Sequence, residues 1–235
     1  MPRRVSRRLG KNGESAHVRT GPTPETVILV PGLWMTGLEL GLLRSRLVRE
    51  HGFDAQVFAY PTMHGDPAEI CGDLADAVRR AAAKRVHLVG HSLGGAFVFR
   101  ALQQCSPTLT GKAVLLGAPL NGSRAARGAL RWPILRPLLG SHVVQELAEP
   151  RGREWHGTTA LGAIAGSRPL GTGQFFAHFD EDNDGTVAVR ETIIPGLADH
   201  VVLPHSHIGM LFAGDVAANV AHFLRTGRFL ASKRP

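Results

Sequence analysis

Short runs of consecutive apolar residues recur along the chain, separated by stretches whose apolar positions repeat every three or four residues. The apolar runs predict strands at 26–30, 54–60, 86–89, 113–116, 174–179 and 201–203. The helical periodicity predicts helices at 36–50, 66–85, 92–104 and 209–225. Apolar strands that do not alternate with polar residues are typical of a parallel sheet covered on both faces. The predicted fold class is therefore α/β, with a mostly parallel central sheet and helices on both faces.

The same pattern divides the chain. Residues 1–25 show no regular periodicity and are predicted to be a basic arm, and residues 26–230 are predicted to form one domain. Residues 119–155 interrupt the alternation of strands and helices with a mixture of Pro, Arg and bulky apolar residues, so they are predicted to be a cap or lid insert. A chain of 235 residues with 43% hydrophobic residues is long enough to bury the core of such a domain.

The charge is uneven. The net charge of +8 comes from residues 1–20, with a net of +5, and from residues 119–155, with a net of +3, while the remainder is neutral. A basic tail is usually solvated, and the chain contains no nucleic-acid-binding motif, so no nucleic acid is expected as a partner. An anionic surface remains a possible partner of the basic segments.

Cysteine usage and the N-terminus bear on the compartment. Cys71 and Cys105 are 34 residues apart and lack metal-binding spacing, so both are interpreted as reduced thiols. No apolar segment follows the Arg-rich N-terminus, and no apolar run is long enough to span a bilayer. A cytoplasmic location is the expectation.

The clearest chemical motif is Gly90-His91-Ser92-Leu93-Gly94, which matches the G-x-S-x-G nucleophile elbow. A sharp turn between strand and helix forces its middle residue into a strained conformation, so the positions two before and two after must be very small. The serine hydroxyl then projects beside a helix N-terminus, whose dipole favours negative charge. A predicted strand precedes the motif and a predicted helix follows it, as this geometry requires.

With this motif in its context, the chain resembles the α/β-hydrolase superfamily, in particular compact bacterial serine lipases and esterases. Asn183-Asp184-Gly185-Thr186-Val187 resembles the acid turn of that family, and Ser206-His207-Ile208-Gly209 its histidine loop. The resemblance implies Ser92 as nucleophile, His207 as general base and Asp184 as the acid that orients it, in the chain order this fold uses. No cofactor or metal is needed for that chemistry.

Val30-Pro31-Gly32-Leu33-Trp34 resembles the oxyanion loop of the family, although Pro31 stands where the family often has His. By this resemblance the backbone N–H groups of Leu33 and Leu93 would form the oxyanion hole. Trp34 and His91 are predicted to contact substrate, although His91 lies inside the motif, where packing is its more ordinary role.

Three assignments have rivals. His205 is an alternative base, and Asp180 and Asp182 are alternative acids, although only Asp184 precedes Gly-Thr-Val. Residues Asp180 to Glu191 also match the Ca²⁺ loop D-x-[DN]-x-[DN]-G-x₅-E. Glycines and a proline stand where that loop needs a helix on each side, which favours the acid turn over a calcium site.

The sequence thus predicts a serine hydrolase that cleaves carboxylic esters through an acyl-enzyme. The alternatives are a thioesterase or acyltransferase with the same three residues, and a non-catalytic or calcium-binding protein on the same fold. Arg131 and Arg136 lie among Trp, Ile and Leu in the insert, which suggests a partly apolar lid facing an anionic membrane surface, an acyl-CoA or an acidic acyl carrier. The substrate is expected to be a small-molecule or lipid acyl ester.

Overall fold

Six parallel strands form a single sheet in the order β2-β1-β3-β4-β5-β6. The computed structural model describes residues 25–81, 85–104, 111–140, 146–148 and 152–230. The strands are β1 (Thr26–Val30), β2 (Asp54–Val57), β3 (Val86–His91), β4 (Ala113–Leu116), β5 (Leu161–Gly166) and β6 (Asp199–Leu203). The predicted fold class, a parallel sheet between helices, is confirmed.

Helices cover both faces of the sheet. They are α1 (Gly41–Arg49), α2 (Pro67–Arg80), α3 (Leu93–Gln104), α4 (Arg124–Leu130), α5 (Arg136–Leu139) and α6 (Gly214–Thr226). Successive residues of a strand point to opposite faces, so Val27 and Leu29 pack with α1 and α6, while Ile28 and Val30 pack with α2 and α3. This two-sided burial explains why the strands read as uninterrupted apolar runs. None of the described helices has the length and hydropathy needed to cross a membrane.

Several helix boundaries follow from local sequence. The Asp66 carboxylate accepts a hydrogen bond from the Ala68 N–H at 2.9 Å and caps α2, which begins one residue after the start of the helix predicted at 66–85. The helix predicted at 36–50 is a 3₁₀ turn at Leu38–Leu40 followed by α1. The helix predicted at 209–225 is likewise a 3₁₀ turn at Gly209–Phe212 followed by α6.

One predicted strand is wrong and one strand was missed. Residues 174–179 do not form a strand, because the chain makes a 3₁₀ turn at Thr172–Phe175, where Gly173 lies too close to the backbone of Thr186 for a side chain. The missed fifth strand is β5, whose Gly and Ala residues give a weak strand signal. Small residues are needed there because a Cβ on Gly162 would lie 2.5 Å from the Phe223 ring.

The strand order places the site. Strand β1 lies between β2 and β3, and α1 and α2 connect these strands across opposite faces of the sheet. At such a switch point the loops after the two central strands diverge and leave a crevice at their carboxyl ends. Here those loops begin at Pro31 and at Ser92.

Some predictions lie largely outside the described residues. Of the predicted arm, residues 1–25, Glu25 alone is described, and Cys105 is not. Cys71 is buried in α2, where its thiol donates to the Phe97 carbonyl at 3.9 Å. The domain boundaries at 25 and 230 therefore stay predictions.

Candidate active site

Ser92 stands at the turn between β3 and α3 in a left-handed conformation, with φ of 53°. Non-glycine residues rarely adopt this region, and such strain concentrates at functional sites. The turn is tight because a Cβ on Gly94 would lie 2.3 Å from the carbonyl oxygens of Val30 and Pro31, and one on Gly90 would lie 2.6 Å from Gly94 O. Gly90 is therefore constrained within the motif, as the sequence predicts, whereas Gly94 must be small because the loop after β1 packs against it.

Trp34 is the other non-glycine residue at positive φ among the described residues, with φ of 61°. It belongs to the loop after β1, which is held by a hydrogen bond from the Tyr60 hydroxyl to the Pro31 carbonyl at 2.7 Å. Burial raises the pKa of Tyr60, so the hydroxyl stays protonated as a donor. Gly32 in the same loop packs against Ser92, where a Cβ would come within 3.1 Å of the Ser92 Cβ.

His207 and Asp184 form a buried pair. The distance between His207 Nδ1 and Asp184 Oδ2 is 2.7 Å, and the His207 N–H donates to the Asp184 carbonyl at 2.8 Å. The other carboxylate oxygen, Oδ1, accepts hydrogen bonds from the Thr186 and Val187 N–H groups at 2.9 and 2.7 Å. Both oxygens of Asp184 are thus engaged, which fixes the carboxylate against the imidazole.

Two glycines that sequence reasoning missed make room for this pair. Gly117 follows β4 at φ of 53°, and a Cβ there would lie 3.0 Å from Asp184 Oδ2 and 3.1 Å from His207 Nδ1. Gly166 ends β5, and a Cβ there would lie 2.7 Å from the Asp184 Cβ. A glycine at the carboxyl end of an apolar strand is the signal that could have found both.

The rival residues have other partners. His205 Nε2 lies 2.8 Å from Asp215 Oδ1, away from Asp184. Asp180 is exposed and contacts Arg124 at 3.4 Å, and Asp182 is exposed. The structure therefore brings His207 and Asp184 together and leaves the alternative base and acids apart from them.

The segment matching a calcium loop is not flanked by two helices. The 3₁₀ turns Thr172–Phe175 and Val189–Thr192 lie before and within it. Its last carboxylate, on Glu191, accepts hydrogen bonds from the Ala188 N–H at 3.0 Å and the Arg124 N–H at 2.8 Å. Among the described residues, no three His, Cys, Asp or Glu side chains are arranged to hold a metal ion.

Ser92 and His207 line the same cavity, whose volume is about 340 Å³. Leu33, Trp34 and His91 line it too, whereas the fully buried Leu93 does not. Residues of the predicted insert supply much of the remaining wall, which is apolar: Ala125, Ala126, Ala129, Leu135, Leu139 and Leu147. A cavity of this size lined by apolar side chains with a few convergent polar groups is typical of a small-molecule site.

His91 is buried beside this pair. Its Nε2 lies 2.9 Å from the His207 carbonyl, and the two rings lie 4.7 Å apart between centroids. Burial, reinforced by the proximity of the His207 ring, lowers the pKa of His91 to about 3, so the His91 ring is neutral at physiological pH. The predicted contact of His91 and Trp34 with substrate stays a prediction, and for His91 the visible partner is the loop of His207.

The comparisons with known proteins agree with this fold. A family model described as "Alpha/beta hydrolase family" matches residues 27–229. The Bacillus licheniformis lipase BlEst2 in its mature form superposes with a TM-score of 0.70 at 19% identity, covering 88% of this chain and 94% of that one. The metagenomic carboxyl esterase MGS0156 superposes with a TM-score of 0.62 at 18% identity, covering 87% of this chain and 70% of that one. The type II thioesterase BorB from the borrelidin biosynthetic cluster superposes with a TM-score of 0.55 at 18% identity, covering 88% of this chain and 93% of that one. A search of curated proteins gives no match.

Proposed function

This chain belongs to the alpha/beta hydrolase family, and we propose that it hydrolyses carboxylic esters with Ser92 as nucleophile. The observation that carries the proposal is the convergence of three features on one apolar cavity. A strained serine stands at a strand-to-helix turn, a histidine lines the same cavity, and a buried carboxylate holds that histidine at 2.7 Å. This is the arrangement that a serine needs for nucleophilic catalysis.

In the proposed reaction the Ser92 Oγ attacks the ester carbonyl carbon while the His207 Nε2 takes the hydroxyl proton. Asp184 accepts the Nδ1–H of His207 and stabilises the imidazolium that forms. The C–O bond to the alcohol then breaks, and His207 gives its proton to the departing oxygen. Water, activated in the same way by His207, cleaves the acyl-enzyme and releases the acid.

The charge on the carbonyl oxygen needs donors. The N–H groups of Leu33 and Leu93 are the proposed oxyanion hole, since Leu33 lies in the loop packed on Ser92 and Leu93 is the first residue of α3. Within the part of the chain that the structure describes, neither N–H donates to a carbonyl oxygen. Unpaired backbone donors at a helix N-terminus suit a developing oxyanion.

The apolar cavity favours an acyl chain over a polar acid. Its volume lies at the lower end for small-molecule sites, so we expect acyl groups of short to medium length. A thioester is the second candidate, because an apolar acyl cavity with Ser92, His207 and Asp184 serves an oxygen or a sulfur leaving group alike. One of the similar folds is a type II thioesterase.

Fluorophosphonate labelling of the wild type and of Ser92→Ala tests the nucleophile. The same two proteins are assayed for hydrolysis of p-nitrophenyl esters and of matched acyl-CoA thioesters with two to sixteen acyl carbons. The proposal expects labelling and turnover in the wild type and neither in Ser92→Ala. A matched control is Ser123→Ala, which removes a buried hydroxyl from another wall of the cavity and should retain labelling. Labelling that persists in Ser92→Ala, or a folded wild type that hydrolyses none of these substrates, would contradict the proposal. Thioester turnover well above ester turnover would favour the second candidate.

A further inference from the structure

Large apolar side chains are exposed around the mouth of the cavity. Trp34, Leu170 and Ile208 each line the cavity and are about half exposed. They come from three separate loops, those after β1, β5 and β6. The mouth is therefore apolar on several sides, and not at one chance position.

Four more exposed apolar side chains lie close in the chain to residues that line the cavity. Leu38 is 86% exposed, Phe175 82%, Ile134 78% and Trp132 58%. The nearest lining residues in the chain, one to three positions away, are Met35, Leu135 and Phe176. The four side chains do not line the cavity themselves, so a substrate inside it would leave them in water. We call these four side chains the apolar rim.

Elsewhere the described surface is different. The other exposed large apolar side chains among the described residues are Leu42, Val48, Ile193, Phe212 and Leu230, and each is less than half exposed. Leu42 and Val48 lie on α1, Phe212 ends the 3₁₀ turn at Gly209–Phe212, and Ile193 and Leu230 follow other elements. A concentration of exposed apolar surface at one place marks an interaction site, whereas scattered residues do not.

Two of the three segments that supply the rim also carry positive charge, whereas the third contains Glu39 beside Leu38. Arg127, Arg131, Arg136 and Arg168 are exposed, and the segments 124–139 and 167–179 contain no Asp or Glu. Arg127 and Arg136 donate to backbone carbonyls, of Ala148 and Leu130. No carboxylate within the described ranges pairs with any of the four arginines. The partner must therefore offer both apolar depth and negative charge.

We propose that the apolar rim and its arginines dock the mouth of the cavity onto an anionic phospholipid surface. Apolar side chains that enter the boundary between headgroups and acyl chains, with cations at the headgroups, are the combination such surfaces bind. An acidic carrier protein would match the arginines but offers no acyl layer for Ile134 and Phe175. Residues 1–20 of this chain have the same sign of charge as the rim, which disfavours them as its cover. The inference rests on the proposed function only in taking the cavity as the site that lipid must reach.

Flotation of the full chain with vesicles tests the docking apart from turnover. Wild type should bind phosphatidylglycerol vesicles at least tenfold more tightly than phosphatidylcholine vesicles. The double variants Ile134→Ser/Phe175→Ser and Arg131→Gln/Arg136→Gln should each lose about tenfold on phosphatidylglycerol. Val48→Ser on α1 and Arg80→Gln on α2, at exposed positions outside the rim, are the matched controls and should bind like wild type. Thermal melting verifies that each variant is folded.

Intrinsic fluorescence distinguishes insertion from charge attraction. Trp132 and Trp34 are exposed and Trp155 is buried. Brominated lipid should therefore quench part of the tryptophan emission of the wild type, and it should quench a smaller part of the emission of Trp132→Phe. Binding to anionic vesicles without quenching would overturn the docking by apolar insertion and point to an acidic protein partner. Vesicle binding by Ile134→Ser/Phe175→Ser that equals binding by the wild type would overturn it as well. Vesicle binding by a chain that hydrolyses no ester would contradict the proposed function and leave the docking standing, while turnover without vesicle binding would do the reverse.

Discussion

The Nε2 of His91 lies 2.9 Å from the main-chain carbonyl of His207, so the residue before Ser92 holds the loop that carries the proposed base. A carbonyl can only accept, so Nε2 is the donor and the proton of the neutral ring is on that atom. The other ring nitrogen, Nδ1, is buried with no partner among the described residues. The hydrogen bond joins the nucleophile turn and the histidine loop, 116 positions apart in the chain.

Replacing His91 should therefore slow turnover more than it weakens substrate binding. We expect His91→Ala to lower kcat by about 10- to 100-fold, because a displacement of about 1 Å in a catalytic group costs on the order of that factor, with KM changed less than about threefold. His91→Gln places an amide N–H near the position of Nε2 and should recover much of the loss. Steady-state kinetics on a short soluble ester measure both. A loss confined to KM would assign His91 to substrate contact instead.

His91 should also make the fold sensitive to mild acid. Its pKa is about 3 in the folded chain, against the ordinary value of 6.5, so between these values the unfolded chain binds more protons and stability falls as the pH falls. At pH 5 the loss relative to neutral pH is on the order of 2 kcal/mol. Burial lowers the pKa of His87 and of His200 as well, and both add in the same direction.

Urea denaturation at pH 7 and pH 5 measures this loss, and His91→Gln should reduce it by the share due to His91. A variant with the same pH dependence as wild type would show that His91 is not buried neutral. His205, whose side chain is 25% exposed beside Asp215, provides the comparison variant His205→Gln. This variant should still show the part of the stability loss between pH 7 and pH 5 that is due to His91.

Asp184→Asn should remove most activity and keep the fold. The amide oxygen can still accept the Thr186 and Val187 N–H groups, but the amide N–H₂ would face His207 Nδ1 and favour the wrong tautomer. Such a change typically lowers kcat by about 10⁴, so we expect a loss of 10³ to 10⁴ with a small change in melting temperature. Asp182→Asn, at an exposed position two residues away, should be as active as wild type. Equal losses in both variants would contradict the assignment of the acid.

Gly94→Ala should destabilise the fold, because its Cβ would overlap the backbone carbonyls of Val30 and Pro31. We expect a loss of about 3 kcal/mol or more, since backbone atoms at that distance cannot move aside cheaply. Gly72→Ala is the matched change within α2, where a Cβ meets nothing within 4 Å. It should stabilise the helix by about 0.5–1 kcal/mol. Chemical denaturation of the pair provides the comparison, and similar effects at both positions would show that the elbow is looser than described.

Calcium should leave the melting temperature unchanged. Three of the carboxylates that match a calcium loop are engaged elsewhere, Asp184 with His207, Asp180 with Arg124 and Glu191 with Arg124 and the Ala188 N–H. Capturing Ca²⁺ would require breaking these contacts. Differential scanning fluorimetry with and without millimolar Ca²⁺ measures the effect. A rise of several degrees that disappears in Asp180→Ala would restore the calcium interpretation.

The α/β fold class, five of the six strands and the start of α2 could be predicted because each depends on short-range pattern. The residues of β1 are apolar without alternation, which reports burial on both faces, and Asp66 caps α2 through its own neighbour Ala68. Strand β5 was missed because its Gly and Ala residues are small to fit under Phe223, more than fifty residues later in the chain. A local sequence pattern does not show a packing requirement that is imposed by so distant a residue.

The strand predicted at residues 174–179 was wrong for a related reason. The run contains Phe175 and Phe176, which favour a strand by propensity. The contact of Gly173 with Thr186 bends the backbone into a 3₁₀ turn, and the tertiary contact outweighs the local preference.

The sequence by itself determined the turn at Ser92, because the G-x-S-x-G spacing is visible in the chain and a Cβ on Gly90 would meet Gly94 and the adjacent Gly95. Tertiary structure decided which histidine meets which acid, since His205 and His207 are two positions apart in the chain yet lie beside Asp215 and Asp184. It also decided the roles of Gly117 and Gly166, whose missing side chains leave space for that pair. The reason is physical: Gly90 is constrained by residues close to it in the chain, whereas the packing of Gly94 against Val30 and Pro31 and the meeting of distant side chains depend on the order of the strands in the sheet and on the space left at their carboxyl ends.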